Sequence, residues 1–114
     1  MRINRQNKQP DNRNESTSFG SRIRELRYQR GIGIKRLAPE LGVDYSYLSR
    51  LENEKALPSA EIIDRLSKYF DHNKDELMLL ADKVPKDVMQ ILREHPREAL
   101  ALLRESFIGD GKQS

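Results

Sequence analysis

From residue 18 onward, apolar residues recur every three or four positions. No stretch alternates with period two over a useful length, so the chain predicts helices and no strands. A first helix is expected after Ser16, Thr17 or Ser18, each a suitable N-cap, with Phe19, Ile23, Leu26 and Arg27 on one face and Gly31 ending the run. A second, short helix spans roughly Ile34 to Leu41 with Leu37, Ala38 and Leu41 inward, and Gly42 supplies a left-handed turn. Asp44 then caps a third helix through about Asn53, with Leu48 and Leu51 on its inner face. Pro58 and Ser59 open a fourth that uses Ile62, Ile63, Leu66 and Phe70, and a turn at 71–73 precedes a fifth around Lys74 to Ala81. Two more amphipathic helices follow. One begins with Pro85 at its first position and carries Val84, Val88, Ile91 and Leu92; the other follows His95-Pro96 and carries Ala99, Leu100, Leu102, Leu103 and Phe107.

The segments outside this pattern read as tails. Residues 1–17 hold only Met1 and Ile3 as apolar side chains, too little burial to offset ordering, so a disordered basic arm is expected there, carrying Arg2, Arg5, Lys8 and Arg13. That arm either tracks a DNA groove or serves as a solubilising tail. Residues 109–114 form a second disordered tail. The organisation is thus an arm at 1–17, a helical domain at 18–82, a helical extension at 83–108 and a tail.

Composition narrows the function classes. Hydrophobic residues are 36% and charged residues 34% of the 114, as suits one small domain with a modest core. The longest apolar runs, 77–81 and 99–103, are far below the roughly 20 residues that span a bilayer, and the polar N-terminus has no signal-peptide pattern. No cysteine is present, which excludes disulfides, thiol catalysis and thiolate zinc sites, and a cytoplasmic location is expected. The formal charge of +3 is small, but it is unevenly placed: residues 18–56 carry a net +3 and residues 57–82 a net −3. Such a molecule can offer one face to phosphates at low total charge; solvated surface charge is the plain alternative.

The stretch Ile34 to Asn53 narrows the reading furthest. Two short helices meeting at a steep angle need a small residue where their backbones approach, here Ala38, and a tight turn, here Gly42. Leu37, Val43, Leu48 and Leu51 lock the pair inward, leaving Asp44, Tyr45, Ser46, Ser49 and Arg50 on the outer face of the second helix, polar groups able to enter a major groove. Together with Pro58-Ser59 and Asp75-Glu76-Leu77, the segment from about Phe19 to Leu80 resembles the helix-turn-helix domain of the Cro/C1-type (XRE-like) repressors. The resemblance implies an all-α, five-helix, lambda-repressor-like domain, here with a two-helix C-terminal extension.

It also implies roles for particular residues. Tyr45, Ser46, Ser49 and Arg50 would read base edges, with Arg50 matched to the two acceptors of guanine. Lys35, Arg36, Asn53 and Lys55 would meet the DNA backbone, although Asn53 could equally cap its helix. Arg27 and Glu52 take the places of the family's structural salt bridge between first helix and recognition helix. Three departures stand out: Ile34 replaces a glutamine that often braces a phosphate, Pro39 lies inside a helix it should bend or shorten, and Glu54 stands where glycine usually follows Glu-Asn. A negative charge at Glu54 is unwelcome so near DNA.

The expected function is a dimeric, sequence-specific transcriptional regulator, acting as a repressor on a palindromic operator in double-stranded DNA. His72 and His95 lack companions for catalysis or metal binding, so no enzyme activity, metal or cofactor is expected. The helices within 83–107 leave three readings open: a homodimer interface, a surface for another protein as in antitoxin members of the family, or a cover for the same chain's core.

Overall fold

The computed structural model describes residues 17–109, and within them the fold is all-helical. The basic arm and most of the glycine-rich tail lie outside the described residues. Seven helices occur in order: α1 (Phe19–Arg30), α2 (Ile34–Leu41), α3 (Tyr45–Glu52), α4 (Ala60–Phe70), α5 (Lys74–Leu80), α6 (Lys86–Glu94) and α7 (Pro96–Phe107). None of them is long and apolar enough to cross a membrane. The chain divides into two compact units, with the break between Lys83 and Val84.

The first unit holds α1 to α5 around one core. Ile23, Leu37, Leu41, Leu48, Leu51, Ile62, Ile63, Leu66 and Leu77 are fully buried, each side chain contributing about 1.5–3 kcal/mol by leaving water. Helix α3 packs against both α1 and α2, α2 also meets α4, and α4 meets α5. The inward residues are those the 3.6-residue spacing selects. Helix α2 continues past Pro39 to Leu41, so the proline does not shorten it.

The helix ends share one device. Ser18 caps α1 through a capping box with Ser21, and Ser59 and Asn73 cap α4 and α5 with side-chain oxygens. Asp44 occupies the N-cap position of α3 but makes no capping hydrogen bond with its side chain, contrary to expectation. At their C-termini, α1 to α5 all finish on a left-handed residue with paired return hydrogen bonds to the last turn, the Schellman arrangement. Glycine fills that place at Gly31 and Gly42, whereas Glu54, Asp71 and Asp82 adopt φ of 59°, 52° and 60°. An L-residue is strained in that region by about 1–2 kcal/mol.

The second unit contains α6 and α7, which meet at His95 and pack on each other. Pro85 sits at the N-cap of α6, one place earlier than its expected position within the helix. Neither helix has a buried residue. Val88, Ile91, Leu100, Leu102, Leu103 and Phe107 are all exposed.

Candidate nucleic-acid interface

Helix α3 is fixed from behind. Leu48 and Leu51 anchor it in the core, and Glu52 at its last turn is 3% exposed. A carboxylate so buried must be paired, and Arg27 of α1, itself 7% exposed, supplies the partner. Its Nε donates to Glu52 Oε2 at 2.6 Å and its Nη2 to Oε1 at 2.8 Å, a bidentate fork, while Nη1 donates to the Ile32 carbonyl at 3.1 Å. The hydrogen bond to Glu52 raises the Arg27 pKa against the opposing effect of burial, so the guanidinium stays charged.

Arg24, one turn earlier on α1, adds a second clasp. It reaches Glu52 Oε1 at 3.3 Å, the Glu52 carbonyl at 3.1 Å and Asn53 Oδ1 at 3.1 Å. Asn53 in turn donates from Nδ2 to the Ser49 carbonyl at 2.9 Å, closing the end of α3. The geometry thus gives Asn53 a capping role. Beyond it, Glu54 Oε2 accepts a 2.6 Å hydrogen bond from the Gly20 N–H in the first turn of α1. The carboxylate therefore points back into its own domain, onto one of the amides that a helix start leaves without a partner. Gly20 allows this approach: a Cβ there would collide with the Glu52 carbonyl and the Glu54 carboxylate.

The outer face of α3 is different in kind. Tyr45 is 52% exposed, Ser46 and Arg50 are exposed, and Ser49 is half-buried. Arg50 makes no ion pair among the described residues; its guanidinium lies 5.9 Å from the ring centroid of Tyr47, a half-buried residue packed on the core. Lys35 and Arg36, in the first turn of α2, and Lys55, after α3, are exposed and also without ion pairs among the described residues.

The other cations between residues 22 and 74 are engaged internally. Arg22 pairs with Glu25 and Glu76, Arg65 with Glu61, and Lys68 and Lys74 with Asp64. Arg65 also donates to the Leu41 carbonyl at 2.8 Å, closing the end of α2. Arg30 stands over the rings of Tyr69 and Phe70. Between residues 22 and 74, then, most cations hold the fold, while Lys35, Arg36 and Lys55 have no such partner among the described residues and Arg50 has only the Tyr47 ring. Among the described residues, no group of three His, Asp or Glu side chains is placed to hold a metal ion.

Sequence reasoning missed Arg24, Gly20 and the inward turn of Glu54. Only Arg24 had a local signal, its place one turn from Arg27 on the same side of α1.

No individual curated protein matches the chain. A profile described as a helix-turn-helix domain matches residues 20–83, more than half of the chain and all five helices of the first unit. The buried clasp of α3, its polar outer face and this match agree: the chain belongs to the helix-turn-helix family of the Cro/C1 (XRE-like) type and carries that family's DNA-binding domain.

Proposed function

We propose that the protein is a sequence-specific transcriptional repressor that binds a palindromic operator as a homodimer and has no enzymatic activity. One observation carries this reading. Within the first unit, Lys35, Arg36, Arg50 and Lys55, which make no ion pair among the described residues, lie on and around the recognition helix, while Arg24, Arg27 and Arg65 are spent on the fold. Arg50, Tyr45, Ser46 and Ser49 enter the major groove and read base edges. Lys35, Arg36, Lys55 and the remaining N–H of Asn53 hold the phosphates. Glu54, turned back onto α1, costs less repulsion than its place in the chain suggests. Repression follows from occupancy, the bound dimer covering a promoter in the cytoplasm.

The dimer reading draws on the second unit. Two helices with no buried residue and a row of exposed leucines, isoleucine, valine and phenylalanine need a cover. A second copy supplies it and places two recognition helices about one DNA turn, roughly 34 Å, apart. The same exposed face also supports a second reading, in which α6 and α7 take a different protein, as an antitoxin does, and DNA binding serves autoregulation.

Selection of bound sequences from a random DNA library, at near-physiological salt, tests both. An inverted repeat with spaced half-sites, together with a dimeric mass in sedimentation, is the expected result. Sequence-blind binding by a monomer would refute the operator-binding dimer and turn attention to the protein partner.

A further inference from the structure

Glu54 is out of place by every local rule. It occupies the left-handed closing position of α3, where its backbone φ of 59° favours glycine, and it puts a negative charge beside the helix that meets DNA. Yet its backbone is fully used: the Glu54 N–H donates to the Leu51 carbonyl at 3.3 Å, and the next N–H, that of Lys55, donates to the Arg50 carbonyl at 2.8 Å. A glycine makes the same two bonds without strain. What glycine cannot make is the 2.6 Å bond from the carboxylate to the Gly20 N–H, thirty-four residues away. Gly20 has no room for any side chain of its own because that carboxylate and the Glu52 carbonyl fill the space.

We propose that Glu54 is a positioning residue for the DNA-backbone contact of Lys55. Its carboxylate pins the turn after α3 to the first turn of α1, so Lys55 leaves a turn held at both of its neighbouring bonds. Arg24 fastens the preceding residue, Asn53, to the same helix. The turn is therefore fixed before DNA arrives, and the ordering that a loose glycine turn would undergo on binding is already complete. Lys55 itself is exposed and unpaired among the described residues, so its ammonium is available to a phosphate. The inference rests on the reading of Lys55 as a backbone contact.

The test measures the salt dependence of binding to a labelled mixed-sequence DNA duplex of about three helical turns, using the full chain. Lys55→Ala should lower the slope of log K against log salt by about one per protomer. Glu54→Gln keeps an oxygen for the Gly20 N–H and removes the charge, so its slope should stay at the parent value. Glu54→Ala removes the bond at an equal backbone strain, and its slope should fall as in Lys55→Ala. The double variant Glu54→Ala/Lys55→Ala should show no further fall. Should Glu54→Ala fail to fold, Glu54→Gly loses the same bond with the strain relieved and should give the same slope.

Parent-like slopes in folded Glu54→Ala and Glu54→Gly, with Lys55→Ala reduced, would overturn the positioning role alone. An unchanged slope in Lys55→Ala would overturn the backbone contact and the proposal with it. Independent, additive falls in the double variant would show that Glu54 does not act through Lys55.

Discussion

Replacing Glu52 with leucine probes the contact that orients the recognition helix. The Glu52 side chain is 1% exposed and that of Arg27 9%, so neither charge has water to fall back on. Glu52→Leu keeps the volume near its original value and strands the Arg27 guanidinium in the interior, with no carboxylate and only the Ile32 carbonyl and the neighbouring Tyr28 side chain as company. Breaking a buried pair in this way costs about 3–5 kcal/mol, because the surviving charge stays desolvated. A small domain has about 5–15 kcal/mol in total, so the single variant should lose from about a fifth to nearly all of its stability.

The double variant Arg27→Met/Glu52→Leu separates charge from packing. With both ions gone the desolvation penalty goes too, and well-packed apolar replacements of buried pairs are commonly neutral or stabilising. The Ile32 carbonyl loses its donor, a loss of about 1 kcal/mol. Arg24, at 36% side-chain exposure, can turn to solvent. The double variant should therefore lie within about 1–2 kcal/mol of the parent and well above the single variant. Urea unfolding followed by far-ultraviolet circular dichroism reads both, with the dependence on urea checked for constancy. A Glu52→Leu variant within about 1 kcal/mol of the parent would refute the argument from the stranded charge. A double variant no better than the single would show that shape, and not charge, holds α3 in place.

Gly20→Ala should destabilise by about 1–3 kcal/mol from overpacking against the Glu52 carbonyl, and a melting temperature equal to the parent's would contradict the close approach. Arg50→Ala should cost about 1–3 kcal/mol in binding and relax preference at one base pair per half-site; equal weakening on all sequences would make Arg50 a phosphate contact. Partial burial works against the Glu76 carboxylate, but the hydrogen bonds from Arg22 and His72 outweigh it and hold the carboxyl below its usual range. Its folded value lies under its unfolded one, so its stabilisation is complete above about pH 4.3 and is lost as pH falls through the folded value. Glu76→Gln should flatten that part of the stability profile, and an unchanged acid limb would sink the assignment. Leu103→Glu, on the uncovered face of α7, should shift the sedimenting species to monomer while leaving the melting of the first unit unchanged; a persistent dimer would place the interface elsewhere.

The helices and their inward faces were legible because they depend on local spacing. Leu37, Leu48, Ile63 and Leu66 follow the 3.6-residue period and are all buried, and Gly31 and Gly42 announce the left-handed ends of α1 and α2 by having no side chain to strain. The outward set on α3 followed by subtraction, since what Leu48, Leu51, the half-buried Tyr47 and the buried Glu52 leave over is Tyr45, Ser46, Ser49 and Arg50. Pro39 does not shorten α2, because an eight-residue helix has few internal hydrogen bonds to lose and α2 keeps its burial of Leu41 beyond the proline.

The left-handed acids could not be read the same way. Nothing adjacent to Glu54, Asp71 or Asp82 marks a positive φ, and propensity favours glycine at each. At Glu54 the compensation comes from Gly20, thirty-four positions away and on another helix. Each member of that pair looks like a defect by itself: a glycine inside a helix, and a glutamate in a glycine's place beside a DNA-binding surface. Together they form a hydrogen bond in a space that only a glycine leaves open. The two departures therefore depend on each other, and restoring the expected residue at either one alone should lose the contact that justifies the other.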